Sequence, residues 1–142
     1  AEGLYRKGTY GNTMTANPRA LDIASTVLGQ LTPALRTNIR ERGREFVEKF
    51  EKLKAELGGL ITKVQGTGLL FSCELSDEFK CYGTESTEEF MRERGIGVIH
   101  GGANSLRFTP HFNVTSEEVD LVIEHVRHAL LKGPRKAQAA AA

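Results

Sequence analysis

The sequence has no long apolar run, no large excess of charge and few cysteines, and each absence excludes a class of protein. No apolar run approaches the roughly 20 residues that span a bilayer, and no basic-then-apolar leader opens the chain. The formal net charge of +1 argues against binding to nucleic acid or membrane surfaces through bulk charge. Cys73 and Cys81 lack a second cysteine cluster, so we expect no structural zinc and a reduced, cytoplasmic protein.

The composition is that of an ordinary globular domain. The 142 residues are 39% hydrophobic and 26% charged, which is enough for one compact domain with its own core. Residues 1–7 (AEGLYRK) contain neither an initiator methionine nor a helix-start signal, so we expect the chain to be a piece of something longer. Residues 133–142 (GPRKAQAAAA) combine a helix stop with a low-complexity end, which predicts a frayed tail.

The spacing of apolar residues predicts four helices. The first runs from Pro18 to about Leu28, and the second, long helix runs from Pro33 to about Leu57. A short helix is predicted over residues 84–94, and a last helix follows the capping signal at residues 115–118. All but the short helix carry one apolar face at three- and four-residue steps, which is the pattern of a helix packed on a core.

Four strands are predicted as two pairs. Residues 60–65 and 69–75 form the first pair around a glycine-rich bend, and the second of these strands alternates between apolar and polar residues. Residues 96–100 and 105–109 are typical of a hairpin. The order of helices and strands predicts an α+β fold in which helices pack on one face of a small, mostly antiparallel sheet.

Residues 11–18 (GNTMTANP) form a loop of small hydroxyl and amide side chains that leads into the first helix. Asn17 is a plausible N-cap, and Pro18 suits the first helical position because its missing N–H costs nothing there. Free backbone N–H groups and the helix dipole make such a helix start a reasonable site for an anion. The alternative is a capped turn without a ligand, and the local sequence leaves both readings open.

Three stretches of the chain resemble one enzyme family in the same order. Residues 11–18 resemble the G-[SN]-T-[FYM]-x-[GA]-N-P segment of the class III (ω-amino acid:2-oxo acid) aminotransferases, which are fold-type I pyridoxal-phosphate enzymes. Residues 64–70 (VQGTGLL) resemble that family's V-R-G-x-G-L-M segment. Residues 106–114 (LRFTPHFNV) resemble its [IL]-R-[FIL]-x-P-P-L-x-[IV] segment. The chain departs from these patterns at Gln65, where the family usually has arginine, and at Arg19, His111 and Phe112.

The resemblance implies a domain organisation. The chain would be the C-terminal part of the enzyme, and its fold would be that of the C-terminal small domain of a fold-type I transferase. Residues 1–17 would be a loop from the large cofactor domain that carries the phosphate-contact motif. Residues 18–32 would form a linking helix, residues 33–132 the small domain, and residues 133–142 the frayed tail.

The resemblance also implies the roles of three residues. The Thr13 hydroxyl would donate to the phosphate of pyridoxal 5'-phosphate bound mainly by the other subunit of a homodimer, and Asn12 would assist it. Arg107 would bind a substrate carboxylate or pair with a gating glutamate upstream of this chain. Without the resemblance, Thr13 is a hydroxyl that caps a turn, and Arg107 is an exposed strand residue in an ion pair.

The implied reaction moves an amino group from an amino acid, often at an ω-position, to a 2-oxo acid. The Schiff-base lysine of the family lies upstream of the threonine motif, so this chain would contain no catalytic residue and would be inactive alone. The alternative is a free-standing α+β binding or regulatory module without catalysis. An apolar patch left exposed around residues 4–28 would favour the enzyme over the module.

Other candidate groups are weaker. His100 and His111 flank Arg107 and could contact substrate, although a single histidine is more often structural. His125 and His128 share a helix face but have no further metal ligands nearby in the sequence, so we expect no metal site. Cys81 lacks the neighbours of a nucleophile.

Overall fold

The computed structural model describes residues 17–136, which contain four helices and four strands. The elements in chain order are α1 (Pro18–Gln30), α2 (Pro33–Glu56), β1 (Ile61–Thr67), β2 (Leu70–Leu75), α3 (Thr87–Arg92), β3 (Ile99–Gly101), β4 (Ser105–Phe108) and α4 (Ser116–Lys132). The chain divides into two compact units between Pro33 and Ala34. Within residues 17–136, none of the helices combines the length and the apolar character needed to cross a bilayer.

The first unit contains α1, whose start is fixed by its cap. The Asn17 side chain accepts hydrogen bonds from the backbone N–H groups of Arg19 and Ala20, and Pro18 occupies the first turn. The helix buries none of its side chains. Among its apolar side chains, Ile23 and Leu28 are each 64% exposed. The apolar face that the sequence predicts for α1 therefore has no cover within the described residues.

The second unit is built on an antiparallel sheet with the strand order β1-β2-β4-β3. Each pair of neighbouring strands is antiparallel. Gly68 and Gly102 form the two hairpin turns with φ of 55° and 56°, a left-handed conformation that glycine adopts without strain. Strand β4 of the second hairpin pairs with β2 of the first, so the two hairpins form one continuous sheet.

The hydrophobic core lies between α2, α4 and one face of this sheet. Phe71 of β2 is 2% exposed, and its ring centroid lies 4.1 Å from that of Phe46 and 5.1 Å from that of Phe108. The largest fully buried side chains of the unit also include Phe50, Phe79, Leu53, Ile61, Met91, Leu106, Leu130, Val119 and Val126. Helices cover one face of a small antiparallel sheet, which confirms the predicted α+β class.

Polar side chains tie α2 to α4 at the edge of this core. The Lys49 ammonium donates to Glu45 Oε1 at 2.7 Å and to Asp120 Oδ1 at 2.5 Å, and the Ser116 hydroxyl also donates to Glu45. Partial burial raises the pKa of Glu45, but the hydrogen bonds from Lys49 and Ser116 outweigh burial and leave this pKa below its usual value. The Glu45–Lys49 ion pair therefore stays charged at neutral pH, and together with Asp120 and Ser116 it holds α2 against α4.

The helix predicted over residues 84–94 is shorter than expected. The structure forms α3 only from Thr87 to Arg92, with Ser86 as its N-cap. Glu85, with φ of 55°, lies in the left-handed region and cannot belong to a right-handed helix. Gly95, with φ of 83°, lies just beyond its other end. The apolar pattern alone does not show the conformation of Glu85, so the prediction was too long at its start.

Asn104 is the residue that joins the β3–β4 hairpin to the loop after β2. Its side-chain amide donates to the carbonyl oxygens of Leu75, Ser76 and Phe79 at 3.1–3.2 Å. Its Oδ1 accepts from the backbone N–H of Cys81 at 3.1 Å. One half-buried side chain thus satisfies four backbone polar groups, three of which belong to the loop after β2.

Gly43 lies in the middle of α2, where it faces Gly68 of the β1–β2 turn. A Cβ atom at Gly43 would lie 2.3 Å from the Gly68 carbonyl oxygen, so helix and turn meet through backbone. We expect Gly43→Ala to lower the free energy of unfolding by about 1–3 kcal/mol through overpacking, although alanine favours a helix by about 1 kcal/mol. Urea unfolding of the 142-residue chain measures the difference.

Gly29→Ala is the matched control, because Gly29 lies in α1 and a Cβ atom there would meet nothing within 4 Å. Helix propensity alone operates at that position, so the control is expected to leave stability unchanged or slightly higher. A Gly43→Ala variant that is more stable than the parent would show that α2 and the turn do not meet as closely as the structure has them.

Candidate substrate-binding site

The face of the sheet away from the helices carries a row of side chains across all four strands. Residues directly opposite each other in antiparallel strands point to the same face. Gln65 of β1 is opposite Ser72 of β2, Ser72 is opposite Arg107 of β4, and Arg107 is opposite Ile99 of β3. We call these four residues the Arg107 row. It lies on the opposite face from the buried Phe71 and Leu106.

Arg107 is exposed at the surface of β4. Among the described residues it takes part in no ion pair and no hydrogen bond through its side chain. Its stem lies over Gly101, where an added Cβ atom would be 3.7 Å from Arg107 Cδ. The ion pair that an exposed strand arginine normally makes is therefore not found in residues 17–136.

A groove of about 420 Å³ lies beside Arg107. Its lining consists of Gln65, Gly66, Thr67, Leu70, Phe71, Ser72 and Arg107. The polar members belong to β1, β2 and β4, and Leu70, which is 54% exposed, adds an apolar wall. The groove therefore offers one fixed positive charge, neutral hydrogen-bonding groups and an apolar surface.

A second, larger groove of about 560 Å³ lies on the α2 side of the first hairpin. Arg40, Arg44 and Glu48 line it together with Val47 and the glycines of the hairpin. The Glu48 carboxylate offsets part of the positive charge, and the groove does not include Arg107. Although this second groove is larger, it is the weaker candidate for a binding site. Its three charged side chains are exposed and lie on one face of a single helix.

The two histidines that flank Arg107 in sequence have other contacts. His100 is opposite Leu106 in the β3–β4 register, so it points to the other face of the sheet from Arg107. Its Nδ1 lies 3.3 Å from a Glu88 carboxylate oxygen, and its ring centroid is 4.0 Å from that of Tyr82. His111 Nε2 lies 3.5 Å from Glu118 Oε1. Neither residue lines the groove beside Arg107.

Both cysteines are buried and poorly suited to nucleophilic chemistry. Burial raises the pKa of Cys73 far above its usual value. Burial also raises the pKa of Cys81 to about 12, and the nearby Glu88 carboxylate contributes to this increase. The thiolate is the reactive form, so neither cysteine is a nucleophile at neutral pH. Within residues 17–136, no group of three or more His, Cys, Asp or Glu side chains could hold a metal ion.

Thr13 and Asn12, for which the sequence predicts contacts with the cofactor phosphate, lie outside the described residues. The start of α1 that follows them is described. The N–H groups of Arg19 and Ala20 already donate to Asn17, so these two donors are not free for an anion. The first turn of α1 is therefore capped by Asn17, and the roles of Thr13 and Asn12 stay predictions.

The local sequence does not show that Gln65 and Ser72 are neighbours of Arg107. Gln65 stands out only as a departure from the family pattern, and Ser72 only as a polar position of an alternating strand. The alternation does indicate that Ser72 and Arg107 are surface residues of their strands. The pairing of β2 with β4, which brings them together, depends on contacts distant in the chain and leaves no local signal.

Comparison with known proteins identifies relatives of one kind. The profile of the family described as aminotransferase class-III matches residues 3–130. The succinylornithine transaminase of Salmonella enteritidis is 33% identical over 113 residues, which are 79% of this chain and 27% of that protein. The N-acetylornithine aminotransferase of Stenotrophomonas maltophilia is 26% identical with a TM-score of 0.67, over 81% of this chain and 31% of that one. The ornithine delta-aminotransferase of Plasmodium falciparum, at 22% identity, shares the fold with a TM-score of 0.71 over 92% of this chain and 33% of that one.

The chain spans about a quarter of the length of the curated relatives that it matches. The family match covers nearly all of the chain, including residues 17–130 of the described part and the whole of the Arg107 row. The chain therefore belongs to the class III aminotransferase family.

Proposed function

We propose that this chain is the C-terminal part of a pyridoxal-phosphate-dependent aminotransferase, in which Arg107 binds a substrate carboxylate. The full-length protein transfers an amino group from an amino acid, often an ω-amino acid, to a 2-oxo acid. The observation that carries the proposal is the exposed Arg107, which lines a groove and has no acidic partner in residues 17–136. A planar guanidinium can hold both oxygens of a carboxylate.

The cofactor contact that this chain supplies is the Thr13 hydroxyl, with Asn12 beside it. The described start of α1 is compatible with this role, because its first N–H groups are already satisfied and leave the phosphate contact to side chains upstream. When bound, pyridoxal phosphate serves as an electron sink for the reacting carbon. The lysine that holds it lies in the part of the protein outside this chain.

The organisation of the full-length protein follows from the same proposal. Residues 1–17 belong to the large cofactor domain, residues 18–32 link it to the small domain of residues 33–132, and residues 133–142 are a tail. The exposed apolar side chains of α1 support a further part of the protein that covers them. The enzyme is a cytoplasmic homodimer, and Thr13 reaches the cofactor held mainly by the other subunit.

The test compares the full-length protein with this chain. With pyridoxal phosphate, each is assayed for amino transfer to 2-oxoglutarate from N-acetylornithine, succinylornithine, ornithine and lysine. We expect the full-length protein to use at least one donor and the 142-residue chain to use none. A full-length protein that uses no donor and binds no cofactor would overturn the proposal and favour the free-standing binding module. Activity of the short chain alone would contradict its assignment as a piece without catalytic residues.

A further inference from the structure

We propose that Gln65 and Ser72 are further substrate-binding residues, which form with Arg107 a site for one carboxylate on three neighbouring strands. The inference rests on the proposed function and adds a substrate class to it. The acid that binds has a single carboxylate at this site, attached to a carbon chain that carries no charge close to it. Neither Gln65 nor Ser72 was identified as a site residue from the sequence.

The register of the sheet brings the three side chains together. Ser72 is the middle residue, directly opposite Gln65 on one side and Arg107 on the other. Side chains in directly opposite positions have Cβ atoms about 4.5–5.5 Å apart. A carboxylate above Ser72 is therefore within reach of the Gln65 amide from one side and the Arg107 guanidinium from the other.

The polar groups of these three side chains have no partner among the described residues. Among residues 17–136, the Gln65 amide, the Ser72 hydroxyl and the Arg107 guanidinium have no hydrogen-bond partner. All three line the same groove of about 420 Å³. The guanidinium only donates and is always charged, and the amide N–H and hydroxyl groups can donate beside it, so the ligand that suits all three is an acceptor with a negative charge.

The charges around the groove limit the site to one carboxylate. Arg107 is the only cation among the residues that line it. On the next row of the same sheet face, Glu74 lies between Lys63 of β1 and Ser105 of β4, and its carboxylate accepts a hydrogen bond from the Thr62 hydroxyl at 2.7 Å. The Lys63 and Glu74 charges offset each other, so this row supplies no net positive charge for a second carboxylate. On the other side lies the exposed Leu70, which suits an uncharged carbon chain.

Arg107 must turn toward Ser72 to engage the ligand. The aliphatic part of its side chain lies beside Gly101, where an added Cβ atom would be at ordinary van der Waals distance. No ion pair in the described residues holds it there. Exposed side chains change rotamer in picoseconds to nanoseconds, so this movement is not a barrier to binding.

Kinetics of the full-length protein test the inference. Gln65→Leu and Ser72→Ala remove one hydrogen bond each, and we expect each to raise KM for the carboxylate substrate about three- to tenfold with little change in kcat. When Arg107 is already replaced by glutamine, we expect Gln65→Leu to raise KM by a smaller factor. Without Arg107 the carboxylate is no longer held beside Gln65, so little of the Gln65 contact remains to be lost. Ser105→Ala is the matched control, since neutral Ser105 lies on the same strand and face as Arg107, two residues away, and does not line the groove, so it should leave KM unchanged.

Gln65→Arg gives a result of the opposite sign that a folding defect cannot produce. It adds a second cation to the groove, and we expect KM for a substrate with two carboxylates to fall about threefold or more. If Arg107→Gln raises KM but the Gln65 and Ser72 variants do not, this inference is wrong and the proposed role of Arg107 stands. If Arg107→Gln itself leaves KM unchanged, the proposed function of the groove fails as well.

Discussion

Replacing Arg107 with glutamine is expected to lower kcat/KM of the full-length protein for its carboxylate substrate about 30- to 100-fold. The loss corresponds to about 2–3 kcal/mol, which is the usual contribution of a charged, bidentate hydrogen-bonded pair. The structure makes no internal use of the side chain in residues 17–136, so the substitution removes a ligand contact and little stability. The change should appear mainly in KM, because the interaction exists before the transition state.

Two further variants separate charge from geometry at Arg107. Arg107→Lys keeps the positive charge but not the planar fork, so we expect an intermediate loss. Arg44→Gln is the control, because Arg44 is an exposed arginine of α2 that lines the other groove. Equal losses for Arg44→Gln and Arg107→Gln would indicate a general electrostatic effect, and unchanged kinetics for Arg107→Gln would contradict the binding role.

Much of the fold could be predicted from local sequence. The Thr115–Glu118 signal predicts the start of α4, and the structure forms a complete capping box there. The alternation along residues 69–75 predicts which side chains of β2 are buried, and Phe71, Cys73 and Leu75 are all 2% exposed or less. These features are local, because a cap or an alternating strand is decided within a few residues.

The features that depend on distant contacts could not be predicted in the same way. Gly43 interrupts a helix pattern without any local reason, and only the approach of Gly68 explains it. The hairpin predicted from residues 96–100 and 105–109 places Asn104 in its turn, but no local pattern shows that its side chain holds the loop after β2. Arg107 was identified through the family resemblance, since its local pattern predicts only an exposed strand residue. Only the register between β2 and β4 shows that Ser72 lies beside Arg107.

Phe71→Ala is expected to lower the free energy of unfolding by about 3–5 kcal/mol, the typical loss for a buried aromatic ring. Phe71 is central to the core, because its ring stacks on Phe46 and Phe108 and its centroid lies 5.6 Å from that of Phe50. Removal of the ring leaves a cavity bounded by three other rings, which cannot close without moving both α2 and β4. Urea unfolding of the 142-residue chain, followed by circular dichroism, measures the loss.

Leu70→Ala is the matched control, because Leu70 precedes Phe71 in the same strand but is 54% exposed on the opposite face. A surface substitution of this kind usually changes stability by less than about 0.5 kcal/mol. Domains are typically stable by only about 5–15 kcal/mol, so Phe71→Ala can unfold the chain outright. Phe71→Leu keeps most of the volume and should cost about 1–2 kcal/mol. Similar losses for the Phe71 and Leu70 variants would mean that both faces of β2 are buried. The Arg107 row, which shares the Leu70 face, would then not be open to a ligand.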